Sequence, residues 1–234
     1  MCTDNGVSES NRPDRIRIRG AIFDLDGTIL DSMSMWRTLL EDALLRKGIS
    51  PEPFMSLNVW AKNEEFKEAY LSERYGFSSG LKELSAEFPD RISSFYKEKA
   101  MPKPGAVEFL SYLKRSGVKI ALATATPLKY MESALDRLDI KRYFDVILTT
   151  RDVGKGKSSP DVYDVSRERL GVDKDEAVIF EDANYAINTA KKNGYRVIAI
   201  DDYWQFRKRQ ENMSLADRFI YDWSEVYAFI EPVQ

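Results

Sequence analysis

The sequence contains no histidine and a single cysteine, Cys2. The missing imidazole excludes serine or cysteine triads that use histidine as base, and excludes His-ligated zinc or iron. A lone cysteine has no internal disulfide partner, and Cys2 lies where a chain end frays, so thiol chemistry is not expected. No run approaches the roughly 18 apolar residues that a membrane span requires. A cationic surplus is missing too. Lys and Arg number 35 against 38 Asp and Glu, a formal net charge of -3, so the chain has none of the basic excess that draws a nucleic-acid backbone. These absences predict a soluble, cytoplasmic protein with neither nucleic acid nor membrane as partner. Catalysis is left to carboxylates, hydroxyls, lysine, arginine, tyrosine and metals that prefer oxygen ligands.

What is present is enough for a full core, since 43% of 234 residues are hydrophobic. Short Val/Ile-rich runs with both faces apolar read as buried strands: Arg19 to Phe23, Val118 to Ala123, Asp145 to Thr149, Ala177 to Phe180, Arg196 to Ile200 and the weaker Arg218 to Tyr221. Amphipathic helices fall between them, over Pro104 to Arg115, Met131 to Leu138, Asp161 to Leu170 and Ala183 to Asn193. Thr126 and Ser159, each followed by proline, read as helix N-caps. Strand and helix in alternation predict a doubly wound, Rossmann-like parallel sheet covered on both faces. The alternation breaks once. From about Asp31 to Lys103 the pattern is helical, over Trp36 to Leu45, Glu64 to Arg74 and Leu81 to Lys99. The expected organisation is a flexible terminus over 1–14, an α/β core over 15–31 and 103–234, and a small all-helical insertion over 32–102.

Ligands of a doubly wound sheet sit at the carboxyl ends of its strands, near the topological switch point. Asp24-Leu25-Asp26-Gly27-Thr28 follows the first strand, Thr124-Ala125-Thr126 the second, Lys157 precedes the helix after the third, and Glu181-Asp182 ends the fourth. Each of these alone is an ordinary turn, cap or loop residue. Together they place four suitable groups on one rim, in an order that phosphoryl transfer can use. A phosphate dianion repels an anionic nucleophile, so a carboxylate attacks phosphorus only where cations neutralise the transferring group. Asp24 and Asp182 with a backbone carbonyl suit one Mg²⁺. Lys157 supplies a second positive charge, and the Thr124 hydroxyl with nearby backbone amides, Ala125 among them, suits the remaining phosphate oxygens. Asp26, two residues past the nucleophile Asp24, is placed to protonate the leaving oxygen and later to deprotonate the attacking water.

Over Arg19 to Tyr221 this ordered set resembles the haloacid dehalogenase superfamily, in the branch with a helical cap inserted after the first motif. Phe23 to Thr28 matches the first motif, Thr124 the second, Lys157 the third and Glu181-Asp182 the fourth. The resemblance implies that Asp26 also lends its backbone carbonyl to Mg²⁺, and that Glu181 acts on the metal through a bound water. A carboxylate at Asp26 disfavours dehalogenase and phosphonatase chemistry, because the superfamily members with those activities lack it. Two features depart from the pattern. Lys157-Ser158-Ser159-Pro160 keeps only the later proline of the usual Lys-Pro-x-Pro, and the insertion lacks the glycine-and-arginine loop with which related sugar phosphomutases grip a second phosphate. The expected activity is therefore hydrolysis of a small phosphorylated metabolite through an aspartyl phosphate. A β-phosphoglucomutase-like isomerase and a non-catalytic scaffold that binds a phosphorylated ligand are the alternatives. Trp36, Arg37, Trp60 and Lys62 of the insertion are possible substrate contacts, although packing or a solvent-facing position suits each better.

Overall fold

The computed structural model describes residues 15–53, 55, 59 and 64–233. The expected flexible terminus, together with Trp60 and Lys62, lies outside the described residues.

The centre of the molecule is a six-stranded, wholly parallel sheet. Its strands are β2 (Gly20–Phe23), β3 (Lys119–Thr124), β4 (Val146–Thr149), β5 (Ala177–Glu181), β6 (Arg196–Ile200) and β7 (Arg218–Ile220), in the spatial order β4-β3-β2-β5-β6-β7. β2 and β5 are buried at every residue, which is why their sequences, Gly-Ala-Ile-Phe and Ala-Val-Ile-Phe-Glu, are continuous rather than alternating. From β2 the chain winds outward through β3 and β4, then crosses back to start β5 on the other side of β2. The winding reverses there, and the crevice it opens lies above β2, β3 and β5. Gly20 allows β2 to lie against the segment behind it, because a Cβ at that position would stand 2.6 Å from the Val172 side chain.

The helices α5 (Ala106–Arg115), α6 (Leu128–Arg137), α7 (Asp161–Leu170) and α8 (Asn184–Lys192) cover the two faces, each within a few residues of its expected position. One face is packed by Phe23, Phe109, Phe180 and Trp223, with Phe23 and Phe180 stacked at 4.5 Å between ring centroids. The other face is mainly aliphatic, with Ile22, Ile179, Val162 and Val197 beside buried Tyr163 and Tyr195.

The insertion contains α1 (Met33–Arg46), α2 (Glu64–Tyr75), α3 (Gly80–Ser85) and α4 (Phe88–Glu98). The expected single helix over Leu81 to Lys99 is two helices. Pro89 sits in the first turn of α4, a position that suits a ring with no N–H and would break a helix interior. Leu40, Leu44, Met55, Val59, Leu71 and Leu84 form a hydrophobic cluster of the insertion's own. Met35 and Leu39 of α1, with Ile92 and Tyr96 of α4, belong instead to the main core, so the base of the insertion is packed as part of the α/β body.

The sequence expectations omit a short helix over Arg209–Leu215 and two strands, β1 (Ile16–Ile18) and β8 (Ile230–Pro232), which pair in parallel as a separate two-stranded sheet. Among the described residues no helix is long and apolar enough to cross a membrane.

Candidate active site

The seven residues picked out at the strand ends line one cavity of about 300 Å³: Asp24, Asp26, Thr124, Ala125, Lys157, Glu181 and Asp182. They reach it from four different loops because the parallel sheet presents all of its carboxyl ends on one side.

Asp24 directly follows β2, and its backbone N–H donates to the Phe180 carbonyl at 3.0 Å, which carries the β2–β5 ladder one step past the strand. Lys157 is 3% exposed and ion-paired with two carboxylates, donating to Asp24 Oδ1 and to Glu181 Oε1, the latter at 2.9 Å. The second oxygen of Glu181 accepts the Asp182 backbone N–H at 3.0 Å, while the Tyr163 hydroxyl donates to Oε1 at 3.4 Å. The loop after β4 thus holds its lysine without the first proline of the usual motif, through ion pairs rather than chain stiffness. Thr124 Oγ1 accepts the Thr126 backbone N–H at 3.1 Å, which leaves its own O–H available as a donor.

Thr126 and Ser159 are not the helix caps they resemble in sequence. Thr126 Oγ1 donates to Asp26 Oδ2 at 2.6 Å, and the α6 cap position falls on Pro127 without a side-chain cap. Ser159 Oγ donates to the Asp161 carboxylate instead of accepting a backbone N–H. In both cases a nearby carboxylate is the stronger acceptor for a hydroxyl.

Asp182 is fixed on one side only. Thr28 donates to Oδ1 at 3.1 Å and Asn212 Nδ2 donates to the Asp182 carbonyl at 3.0 Å, but buried Oδ2 has no hydrogen-bond partner. Gly27, with φ +86°, passes so close that a Cβ there would lie 2.5 Å from this oxygen. Asp24, Glu181 and Asp182 each offer an oxygen within 4.8 Å of the others, all three buried. Burial first, and Glu181 second, push Asp24 up to about 8 against the pull of Lys157. Asp182 is raised well above the usual carboxylate range by burial, Glu181 and Asp24. Burial works against the charge on Lys157, but Asp24 and Glu181 outweigh it and hold the ammonium well above its ordinary value. One lysine among three crowded carboxylates leaves negative charge uncompensated. Hard oxygen donors, a buried oxygen without a donor and a deficit of positive charge fit a divalent cation of the magnesium type.

The rest of the cavity wall comes from Met33, Trp36 and Arg37 of α1, Thr126, Ala183, Tyr185 of α8 and Gln205. Trp36 and Arg37, which the sequence marks only as possible contacts, do face the cavity. Burial lowers the Arg37 pKa, opposed by the charges of Asp182 and Asp202. Sequence reasoning missed Ser32 and Tyr96, whose hydroxyls both donate to Asp26.

A family model described as haloacid dehalogenase-like hydrolase matches residues 21–200, most of the chain and all seven of the strand-end residues that line the cavity. The chain belongs to the haloacid dehalogenase-like hydrolases. This hydrolase is 31% identical over 175 residues to a validoxylamine A 7'-phosphate phosphatase of Streptomyces hygroscopicus subsp. limoneus, covering 74% of this chain and 81% of the relative. It is 27% identical over 177 residues to a phosphorylated carbohydrates phosphatase of Thermotoga maritima, covering 76% and 82%. Its fold matches CbbY from Rhodobacter sphaeroides, solved in complex with phosphate, with a TM-score of 0.71 at 22% identity over 89% of this chain and 96% of that one. The α/β fold with helices on both faces of a parallel sheet is the fold of these hydrolases.

Proposed function

We propose that this hydrolase is a magnesium-dependent phosphatase that cleaves a small phosphomonoester through an aspartyl phosphate on Asp24. The observation that carries the reading is the convergence on one cavity of Asp24, Asp26, Thr124, Lys157 and Asp182 from separate strand ends, with Asp182 Oδ2 buried and without a partner. The phosphatases among its relatives support the same class of substrate.

In this reading Asp24 attacks phosphorus, the ester P–O bond breaks, and the leaving oxygen takes a proton from Asp26. Water then attacks the aspartyl phosphate while Asp26 accepts its proton, which releases inorganic phosphate and restores both carboxyl groups. Lys157, the Thr124 hydroxyl and the Ala125 amide hold the phosphoryl oxygens. Asp24, Asp182 and the Asp26 carbonyl would hold the cation, with Glu181 behind them and acting through a water. When bound, that cation supplies the positive charge that lets an anionic carboxylate approach an anionic phosphoryl group. The insertion over 32–102 serves as a cap that brings Trp36 and Arg37 over the cavity and keeps bulk water out.

The test is phosphate release from a panel of phosphorylated sugars, polyols and phosphoglycolate with Mg²⁺, for wild type and Asp24→Asn. Wild type should turn over at least one class of these compounds. The variant should fall below about 1% of that rate, since losing a nucleophile costs several orders of magnitude. Retained turnover in the variant overturns the covalent route. Conversion of a sugar 1-phosphate to its 6-phosphate isomer many-fold faster than phosphate release would replace hydrolysis with phosphomutase chemistry.

A further inference from the structure

Asp26 is gripped by three hydroxyls from three parts of the chain. Ser32, just before α1, donates to Oδ1 at 2.5 Å, and Thr126, in the loop after β3, donates to Oδ2 at 2.6 Å. The third donor is Tyr96, which reaches Oδ1 from α4 in the insertion, 70 residues further along the chain.

Tyr96 differs from the other two in how it is held. Its side chain is completely buried, and its hydroxyl accepts the Trp36 Nε1–H at 3.1 Å. With that acceptor position taken, the phenolic hydrogen points to Asp26, whereas the Ser32 and Thr126 hydroxyls rotate about single bonds. The Tyr96 backbone is anchored as well: its carbonyl accepts from Arg137 Nη2 at 3.3 Å, Ala100 O accepts from the same nitrogen, and α4 packs along α6. A phenol sealed from water is unfavourable unless bonded, and here both of its bonds are made. The chain Trp36–Tyr96–Asp26 therefore runs from α1 through α4 to the rim of the sheet, and joins the base of the insertion to a carboxylate in the cavity.

We propose that Tyr96, oriented by Trp36, is a positioning residue for Asp26, so that the aim of the proton-transferring carboxylate depends on the seating of α1 and α4 against the core. The proposal rests on the reading of Asp26 as general acid and base. If the Tyr96 hydroxyl is removed, Asp26 keeps its charge and its place in the chain but loses the donor that fixes one oxygen. Asp26 serves both ester cleavage and hydrolysis of the aspartyl phosphate, so the part of the loss that depends on the leaving group falls on ester cleavage, read from kcat/KM, where a poor leaving group needs a proton delivered accurately. Phosphate binding should change little.

The experiment measures kcat and KM on p-nitrophenyl phosphate, whose leaving group needs little protonation, and on glycerol 3-phosphate, whose leaving group needs it fully. The variants are Tyr96→Phe, Trp36→Phe and Asp26→Asn. Tyr96→Phe should lose on the order of 10- to 100-fold in kcat/KM on the alkyl ester, the scale of a small misplacement of a catalytic group, with less than about threefold lost in kcat/KM on the aryl ester. Trp36→Phe frees the phenol to turn away and should shift the aryl-to-alkyl ratio of kcat/KM in the same direction by a smaller factor. It decides the matter alone if Tyr96→Phe does not fold. Equal losses in kcat/KM on both esters, or no loss, in the folded variants overturn the positioning role while Asp26→Asn still discriminates between the esters. If Asp26→Asn fails to discriminate, the acid/base reading itself falls, and the role of Tyr96 with it.

Discussion

At the scale of single residues, the site combines groups that are costly apart and useful together. Three buried carboxylates crowd together while Lys157 pairs with only two of them, Asp24 and Glu181, and the crowding raises the proton affinity of Asp24 and Asp182. Gly27 illustrates how little slack remains. Its φ of +86° is one that side-chain-bearing residues rarely adopt, and a Cβ would meet Asp182 Oδ2 at 2.5 Å and Met33 Cγ at 2.9 Å. Gly27→Ala should therefore destabilise the fold by roughly 1–3 kcal/mol, the usual cost of a forced backbone conformation, measured by denaturant unfolding. Because Asp182 must move to make room, kcat/KM should fall by much more than the fraction of unfolded protein explains. A variant with wild-type stability and turnover would show that the loop relaxes freely, against the tight approach seen here.

At the scale of elements, the ends of the strands are fixed by side chains as well as by the ladder. Asp145, just before β4, receives the Ile120 backbone N–H on Oδ2 at 2.9 Å and Lys114 Nζ on Oδ1 at 2.7 Å, which joins the start of β4 to β3 and to α5. Partial burial works against its charge, but these donors win and hold its pKa below the ordinary 3.8. A carboxyl group depressed in the folded state contributes stability that is complete above its unfolded pKa and disappears as pH falls through the folded one. Asp145→Asn should therefore be less stable than wild type at neutral pH, by about 1 kcal/mol for a lost charged partner. The gap should narrow below about pH 4, where the wild-type carboxylate is itself being protonated. Thermal melts of the two proteins from pH 7 to pH 3 measure this, and a constant gap across the range would assign the effect to packing rather than charge.

At the scale of the whole molecule, the cavity links stability to ligation. The folded state brings Asp24 against Glu181 and Asp182, from which it is far removed along the unfolded chain, so a divalent cation would bind the folded form in preference. At a hundredfold excess over Kd this is worth about 2.7 kcal/mol. For a chain of this size that corresponds to a rise in Tm of roughly 5–10 °C. The rise should follow Mg²⁺ concentration and should be absent with sodium at equal ionic strength. Asp182→Asn should lose the Mg²⁺ response and yet melt no lower than wild type in EDTA, because it removes a buried like charge from the cluster. A variant that kept the full Mg²⁺ shift would remove Asp182 from the cation's ligands.

Much of this molecule was determined by local sequence. The strands are continuous apolar runs because a parallel sheet is buried on both faces, and that pattern is visible without any partner. The candidate site was legible for the same reason: a doubly wound sheet sends all of its carboxyl ends to one rim, so residues at or just past the strand ends, Asp24, Thr124 and Asp182, are neighbours whatever fills the loops. Tertiary structure decided the remainder. The β1–β8 pair consists of three-residue strands at opposite ends of the sequence, too short for periodicity to reveal. Thr126 has the sequence setting of a helix cap, and only the approach of Asp26 from another loop, at 2.6 Å, turns its hydroxyl elsewhere. Tyr96 looks in sequence like any aromatic on an amphipathic helix. Its bond to Asp26 spans 70 residues and exists because α4 is held against α6 and Trp36, and contacts made over such distances leave no mark on the local pattern of either partner.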